Sequence, residues 1–322
     1  MLLLDKEQIK PDDLVNLAPL ECLCSSVLTG LKLAGLNHHL FLVNCWDVQF
    51  HSNYLMSCRE IEDYEKIDRI YGTRSDFFEN GSVEHLEEIF DSGGVAYFLC
   101  FASRLSYFPK AFLSYEATGL AHSVLLSRYN KKKNSILLID SLVDYIDEIH
   151  AKDLQSASLL DDKLIYFTQC FSENSKSSSP NLYEIFTDAT ERNLSVYSKG
   201  KGNRGVGALM MFQKETSSSI NWDQYSLDKW VDMNKVTMTS IIRMRKYVWN
   251  SFQSLGVMSP DFIERGDLLV NEVIRQWNSL IFLMLKYKRN FQNAALIDSI
   301  IRKTDDIKNA EIRMLEYLNG FR

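Results

Sequence analysis

The chain has 322 residues, a formal net charge of −6 and an ordinary globular composition, with 46% hydrophobic and 24% charged residues. This composition excludes wholesale disorder and fibrous repeats, and the acidic balance argues against a general nucleic-acid binder, which needs a basic face. No uninterrupted apolar run approaches the roughly 18 residues that span a bilayer, so we expect a cytoplasmic protein that binds neither membrane nor nucleic acid.

The first part of the chain has mainly helical patterns. Pro19-Leu20-Glu21 opens a helix whose apolar residues recur at three- and four-residue spacing until Gly35. Residues 59–72 and 83–90 have the same periodicity and predict two further helices. The consecutive apolar residues Leu40-Phe41-Leu42-Val43 predict a short strand.

Beyond residue 94 the hydrophobic pattern becomes that of strands. Four strands are predicted, at residues 95–102, 123–129, 135–140 and 164–171. The polar turn 130–134 joins the second and third of them into an antiparallel hairpin. Helices followed by a sheet are typical of an α+β fold.

The serine-rich stretch 172–180 predicts a linker. We therefore divide the chain into a first domain, 1–175, and a mainly helical second domain, 176–322. Helices are predicted in the second domain at residues 183–194, 241–255, 267–290 and 294–317. The glycine-rich segment 198–207 predicts a flexible loop or a lid.

The cysteines indicate reduced thiols. The six cysteines stand at positions 22, 24, 45, 58, 100 and 170, which is not the density of a disulfide scaffold. Cys22 and Cys24 form the only tight pair, and no second pair at ligand spacing accompanies it. The sequence therefore predicts no metal site.

Cys22 is the candidate nucleophile because it lies near the start of the first predicted helix, where the helix dipole lowers the pKa of a thiol. His122 begins one strand of the predicted hairpin and Asp140 ends the other. Because a hairpin brings these ends together, we expect His122 and Asp140 to be neighbours. This chain order is that of papain-like Cys-His-Asp enzymes. His38 and His39, after the first helix, are competing bases.

Cys24 is the competing nucleophile. Positions two apart on a helix point to different sides, so only one of the two thiols can face His122. Asn16 precedes Cys22 by six residues and carries an amide that can donate to an oxyanion, whereas Ala18 precedes Cys24 at the same distance and cannot. This comparison favours Cys22.

Several segments around these residues resemble the butirosin-biosynthesis H-type family. The similar segments are 21–28, 94–99, 105–107, 121–129, 138–140, 205–209, 243–252 and 277–285. Proteins of that family have a papain-like, bacteriocin-processing-peptidase-like N-terminal domain and a helical C-terminal region. The resemblance implies the papain-like cysteine-enzyme form of the α+β class, with a nucleophile helix packed on an antiparallel sheet and an all-helical C-terminal region after it.

The resemblance also implies an activity. A Cys22-His122-Asp140 triad would move an acyl or aminoacyl group from a carrier-protein thioester to an amine or hydroxyl acceptor in natural-product biosynthesis, such as that of nonribosomal peptides. The implied partners are an acyl or peptidyl carrier protein, whose phosphopantetheine arm carries the substrate, and a small-molecule acceptor. No bound cofactor is implied, and the oligomeric state, monomer or dimer, stays open. The charges of Lys199, Lys201 and Arg204 are candidates to bind the carrier or its arm.

Two alternatives accompany this hypothesis. A cysteine peptidase or amidase of the same fold would use the same triad on peptides or amides. A non-catalytic binding protein that retains the fold is favoured by two departures from the family pattern. Leu23 follows Cys22 where the family has a glycine or small residue, and residues 127–130 stand where it has Gly-Tyr-Asp.

Overall fold

The structure is a computed structural model that describes residues 6–17, 20–57, 64–110, 121–160, 163–171 and 180–321. The chain divides into two compact units. The first consists of Met1–Phe41 and Ile61–Pro180, and the second of Leu42–Glu60 and Asn181–Arg322. Residues 42–60 thus belong with the C-terminal part, whereas the division at 175 assigned them to the first domain. The predicted linker at 172–180 lies outside the described residues except for Pro180.

Eight β-strands lie in the described part of the chain. They are β1 (Val48–His51), β2 (Tyr54–Ser57), β3 (Thr73–Gly81), β4 (Gly94–Cys100), β5 (His122–Asn130), β6 (Ser135–Asp140), β7 (Tyr145–His150) and β8 (Leu164–Phe171). The first two form a separate hairpin, and the other six form one sheet in the order β3-β8-β4-β5-β6-β7. Every neighbouring pair in both sheets is antiparallel.

Ten α-helices lie in the same described ranges. They are α1 (Cys22–Leu33), α2 (His39–Leu42), α3 (Tyr64–Tyr71), α4 (Val83–Asp91), α5 (Ala151–Ala157), α6 (Leu182–Ser198), α7 (Gly205–Ser218), α8 (Gln224–Ser254), α9 (Pro260–Arg289) and α10 (Ala294–Asn319). The protein is therefore α+β, with an antiparallel sheet, many helices and a helical C-terminal region. None of the described helices has both the length and the apolar character that crossing a membrane requires.

The six-stranded sheet of the first unit is covered on both faces. Side chains alternate between the faces of a strand, and one face carries Phe98, Val124 and Leu138, which pack in a core with α4 and α5. Tyr97 points to the opposite face, where a Cβ on Gly30 of α1 would lie 2.3 Å from its hydroxyl oxygen. The helix therefore approaches the sheet so closely that only glycine fits at this position.

The predicted strand at residues 40–43 is wrong, because the segment is the short helix α2. Asn37 explains the difference, since its side-chain oxygen accepts a hydrogen bond from the backbone N–H of His39 and its carbonyl accepts one from Leu40. These bonds start a helical turn. A run of four apolar residues has no periodicity that separates a buried strand from a buried helical turn.

Four strands were not predicted, namely β1, β2, β3 and β7. Strand β3 lies at the edge of the sheet and much of it is exposed, so it lacks the apolar run that signals a buried strand. The hairpin of β1 and β2 turns at Ser52 and Asn53, whose φ angles of 48° and 71° are those of a two-residue type I′ turn. Neither residue is glycine, so the usual turn signal is missing.

Candidate active site

The hairpin of β5 and β6 brings His122 and Asp140 together as predicted. The hairpin is confirmed, and its register pairs Leu125 with Ile139. Continued by one residue, this register sets Asp140 opposite Val124, so that His122 is its diagonal neighbour on the same face. His122 Nε2 lies 2.8 Å from Asp140 Oδ2, and both side chains are buried.

Asp140 is held by two further donors. The Tyr107 hydroxyl donates to Asp140 Oδ2 at 3.0 Å, and the backbone N–H of Leu142 donates to Oδ1 at 3.1 Å. Burial and the charge of Asp140 raise the pKa of Tyr107 well above its ordinary value, so the phenol keeps its proton and remains a donor. The carboxyl group is 0% exposed, so these hydrogen bonds take the place of water around its two oxygens.

Cys22 is the first residue of α1 and lies next to His122. Its Sγ is 3.8 Å from the carbonyl oxygen of Ala121, and its side chain hydrogen-bonds the imidazole of His122. Because Nε2 of His122 faces Asp140, Nδ1 is the ring nitrogen left for the thiol. The first-turn N–H groups of α1 point toward the same end of the helix, as at every helix N-terminus.

The electrostatics of the site favour a thiolate–imidazolium pair. Burial by itself lowers the pKa of His122, because a buried cation loses its water. The hydrogen bonds to Asp140 and Cys22, together with the negative charges of both groups, outweigh burial and raise the pKa from 6.5 to about 10. The imidazole therefore keeps its proton at neutral pH, and a protonated imidazole favours the thiolate form of a cysteine beside it, which is the nucleophilic form.

The structure brings Cys22, not Cys24, to His122. Cys24 is buried in the first turn of α1, but two residues of helix rotate its side chain by about 200° from that of Cys22. Asn16 lies in the segment before the helix, and its side-chain amide donates to the carbonyl oxygen of Leu142 at 3.1 Å. Asn16 thus contacts the turn that follows Asp140, so its amide is engaged near the carboxylate end of the triad.

His38 and His39 lie at the other end of α1. Their rings are 4.3 Å apart. Burial and the positive charge of Lys32, in the last turn of that helix, lower the pKa of both. Burial, the neighbouring histidine and Lys32 lower the pKa of His38 to about 4. About ten residues of helix, or ~15 Å, separate this end from Cys22. The structure therefore does not bring the competing bases to the candidate nucleophile.

The glycine-rich segment is not the flexible loop that the sequence suggested. Its last residues begin helix α7, and the turn before it is held by a hydrogen bond from the backbone N–H of Phe50 to the carbonyl of Asn203, at 2.7 Å. A Cβ on Gly200 would lie 2.4 Å from the carbonyl oxygen of Arg204. Glycine therefore serves close backbone packing here, and not the mobility of a lid.

The three cations of this segment belong to the second unit, whereas the triad residues belong to the first. Arg204 donates through Nε to Asp47 Oδ2 at 3.1 Å and is therefore an ion-pair partner within its unit, not a free surface charge. Lys199 and Lys201 are exposed. These two remain the candidates for binding an acidic partner.

Sequence reasoning assigned no role to Tyr107 or Phe108. Tyr107 donates to Asp140 and stacks on Tyr145 with ring centroids 3.7 Å apart. The rings of Phe108 and His122 lie in an edge-to-face arrangement with centroids 4.8 Å apart. Both residues precede β5 by more than ten positions. No local pattern signals such a contact, although the hydroxyl of a buried tyrosine usually finds a hydrogen-bond partner.

Among the described residues, no group of three or more His, Cys, Asp or Glu side chains is arranged to hold a metal ion. The described cysteines, which are Cys22, Cys24, Cys45, Cys100 and Cys170, form no disulfide bonds with one another. A scan against protein-family models and a search of curated proteins found no match to this chain. The chemistry of the site is therefore argued from its geometry.

Proposed function

We propose that this protein is a cysteine-dependent acyltransferase in which Cys22 is the nucleophile, His122 the general base and acid, and Asp140 the residue that orients the imidazole. The observation that carries the proposal is the chain of contacts from Asp140 through Nε2 of His122 to the Cys22 thiol at the start of a helix. A nucleophile, a base and an orienting group in this order are the parts that covalent catalysis requires.

In the proposed first half-reaction, the Cys22 thiolate attacks the carbonyl carbon of a thioester and forms a C–S bond. The carbonyl electrons move to oxygen, and the N–H groups of the first turn of α1 are placed to stabilise that oxyanion. When the intermediate collapses, the original thioester C–S bond breaks. The leaving thiolate takes the proton of the His122 imidazolium, which leaves an acyl group on Cys22 and a neutral imidazole.

In the second half-reaction an amine or hydroxyl acceptor attacks the acyl-enzyme. Neutral His122 removes the acceptor proton as the new C–N or C–O bond forms. Collapse of this second intermediate breaks the bond to Cys22 and expels its thiolate. The thiolate–imidazolium pair is thereby restored, and the cycle is a ping-pong reaction with balanced protons.

The donor and the finer fold are proposed from the resemblance to the butirosin-biosynthesis H-type family. On this proposal the first unit has the papain-like form of the α+β class, and the donor is an acyl or aminoacyl thioester on the phosphopantetheine arm of a carrier protein. Lys199 and Lys201 are the proposed contacts for the acidic carrier, since Arg204 already pairs with Asp47. The acceptor is an amine or hydroxyl of a natural-product intermediate.

The test uses acetyl, butanoyl and β-alanyl thioesters of N-acetylcysteamine, which carry the end of a phosphopantetheine arm. We expect intact-mass spectra of the full chain to show one acyl adduct, mapped to Cys22 and absent from Cys22→Ala. The matched control Cys24→Ala should acylate like the unmodified protein. An adduct of normal yield in Cys22→Ala would overturn the proposal.

Parallel assays separate the alternatives that share this triad. Turnover of peptide or amide substrates without any thioester acylation would indicate a cysteine peptidase or amidase. Failure of both substrate classes, together with an ordinary thiol pKa near 8.5 for Cys22, would indicate a non-catalytic binding protein that keeps the fold.

A further inference from the structure

The second unit contains an aromatic pocket that plays no part in the proposed acyl transfer. Its volume is about 460 Å³, which falls within the range of small-molecule sites, roughly 300–1,000 Å³. The residues that the argument uses are Tyr54 of the β1–β2 hairpin, Glu215 of α7, Trp222 between helices, and Tyr225, Lys229 and Trp230 of α8.

The inner wall of this pocket is rigid. Trp230 is buried, its indole N–H donates to the carbonyl oxygen of Asn53 at 2.9 Å, and its ring stacks on Phe212 with centroids 5.5 Å apart. Trp222 meets the Trp230 ring edge-on at 5.4 Å. Two indoles are therefore fixed at right angles, which presents aromatic surface from two directions.

The outer rim is aromatic as well. Tyr225, in the first turn of α8, is 77% exposed although its ring is large and partly apolar. An exposed aromatic ring at the mouth of a rigid aromatic pocket is poised to cover a bound group. Tyr54 adds a phenol from the hairpin side.

The pocket is lined by one carboxylate and one ammonium group. Glu215 is half-buried on α7, and within the described part of the chain it takes part in no ion pair. Lys229 also lines the pocket, but it is exposed and its long stem lets the ammonium move out into water. A carboxylate among aromatic faces attracts a cation, because the face of an aromatic ring carries negative electrostatic potential.

We propose that this pocket binds the alkylated ammonium group of a small organic cation. The methyl groups of such a cation contact Trp222, Trp230 and Tyr225, while Glu215 balances its charge. The rings supply both dispersion contacts and cation–π attraction, and neither requires the ammonium to donate a hydrogen bond.

The test uses choline chloride as the cation and 3,3-dimethylbutan-1-ol as its neutral isostere, with sodium chloride at equal ionic strength as the blank. Calorimetry on the full chain should show saturable, millimolar binding of choline and at least about fivefold weaker binding of the isostere. Trp222→Leu and Glu215→Gln should each weaken choline binding about fivefold. Tyr183→Leu changes an exposed aromatic of α6 and should leave binding unchanged.

Lys229→Gln tests directly whether the pocket prefers a positively charged ligand. Because the lysine charge repels a cation, its removal should strengthen choline binding about twofold. Weaker choline binding in this variant would overturn the proposal, because a lysine charge cannot favour the binding of a cation. Equal binding of choline and its isostere would overturn it too, as would binding to phosphatidylcholine vesicles without binding of free choline.

The calorimetric test of choline binding does not depend on the acyltransferase proposal. Binding is read directly, and all residues changed lie in the second unit, whereas Cys22, His122 and Asp140 lie in the first. Loss of choline binding in Trp222→Leu with Cys22 still acylated would support both proposals.

Discussion

At the scale of single residues, Asp140 sets the geometry of the candidate site. Its Oδ2 accepts hydrogen bonds from His122 Nε2 and the Tyr107 hydroxyl, and its Oδ1 accepts one from the Leu142 backbone. With both oxygens held, the imidazole has one orientation in which Nε2 is engaged and Nδ1 faces Cys22. This arrangement explains how a buried histidine keeps its proton.

The first residue-scale prediction concerns the pH dependence of Cys22. Because the pKa of His122 is raised to about 10, the thiolate–imidazolium pair should exist well below the ordinary thiol pKa of about 8.5. Alkylation of Cys22 by iodoacetamide should therefore remain fast at pH 6. His122→Gln should slow it there at least about tenfold and move the profile up toward pH 8.5.

The measurement is a rate of modification at each pH, followed by mass spectrometry of the Cys22 peptide. Cys170, which is half-buried and far from His122 in the chain, serves as the internal control, and its rate of modification should be the same in the two proteins at each pH. The rate of acyl transfer should fall as the pH rises through about 10, because His122 then loses the proton that the leaving group needs. Identical alkylation profiles in the two proteins would contradict the ion pair.

The second residue-scale prediction concerns Tyr107. Tyr107→Phe removes one hydrogen bond to a buried carboxylate, so the free energy of unfolding should fall by about 2 kcal/mol. Asp140 should then orient His122 less well, so the rate of Cys22 acylation should fall several-fold. Urea unfolding and acylation kinetics measure the two effects.

Tyr145→Phe is the matched control for Tyr107→Phe, because Tyr145 keeps the stacked ring when only its hydroxyl is removed. It should stay close to the unmodified protein in both measurements. An equal loss in both variants would assign the effect to ring packing rather than to the hydrogen bond with Asp140.

At the scale of elements, the fit of α1 against the sheet decides where the thiol lies. The segment before α1 is fastened to it by hydrogen bonds from the backbone N–H groups of Val15 and Leu17 to the side chains of Thr29 and Ser25. Ser26 donates to the carbonyl of Ser123 on β5 at 3.2 Å. These bonds position the N-terminus of the helix beside the start of the strand that carries His122.

Gly30→Ala tests this packing. Alanine usually stabilises a helix by about 1 kcal/mol relative to glycine, but here its Cβ would lie 2.3 Å from the Tyr97 hydroxyl oxygen. We expect the clash to outweigh the higher helix propensity of alanine, so the free energy of unfolding should fall by about 1–3 kcal/mol. Alkylation of Cys22 at pH 6 should slow as well, because α1 must move away from β5.

A double-mutant cycle with Tyr97→Phe checks the cause. Removal of the hydroxyl leaves ring atoms at 3.2 Å or more from the new Cβ. Gly30→Ala should therefore lower the free energy of unfolding less in the Tyr97→Phe protein than in the unmodified one. Tyr97→Phe alone is the control, since it also loses the hydrogen bond to Gln169. If the two substitutions change the free energy of unfolding by strictly additive amounts, the result would contradict a clash between the new Cβ and the Tyr97 hydroxyl.

The helices of the second unit meet at a buried carboxylate. Glu311 of α10 accepts hydrogen bonds from Arg245 of α8, from Trp277 of α9 at 2.7 Å and from the Trp46 indole. Arg245 and Glu311 are both 0% exposed. Since the three helices share this one acceptor, we regard it as the point that sets their mutual register.

Glu311→Gln should therefore be strongly destabilising. The substitution leaves the charge of Arg245 buried without its partner, for which a loss of about 3–5 kcal/mol is expected in thermal or urea unfolding. Glu272→Gln breaks a pair with Arg275, whose side chain is largely exposed, and should lower the free energy of unfolding by less than about 1 kcal/mol. Similar losses for the two variants would mean that the buried pair contributes no more than a surface pair.

At the scale of the whole molecule, each unit is assembled from two separate pieces of chain. Residues 42–60 lie within the N-terminal half of the sequence but belong to the C-terminal unit. Their hairpin packs on α8, and Trp46 reaches Glu311. A unit of this kind has its core completed by a segment that is distant in sequence.

This organisation predicts the behaviour of fragments. Residues 176–322 alone lack the hairpin and Trp46, so they should unfold at lower urea concentration, or without a cooperative transition. The same fragment with residues 42–60 attached through a flexible glycine–serine linker should regain cooperative unfolding. Circular dichroism during urea titration gives the comparison, and equal stability of both fragments would argue against the assignment of 42–60 to the second unit.

Elements with strong local signals could be predicted from the amino-acid sequence. Helix α4 and strands β4, β5, β6 and β8 were predicted because buried apolar residues repeat with a clear period. The contact between His122 and Asp140 could also be predicted, since a hairpin pairs residues that are close in the chain. The α+β class follows from the order of these elements.

The remaining features depend on contacts between residues that are distant in sequence. The edge strand β3, the place of residues 42–60 and the role of Tyr107 depend on partners distant in sequence, which leave no local period. The choice between Cys22 and Cys24 is of the same kind, because the rotation of α1 against the sheet sets which thiol meets His122. The local pattern of apolar residues indicates which face of a helix or strand is buried. Packing between elements that are distant in sequence determines which residues contact that face.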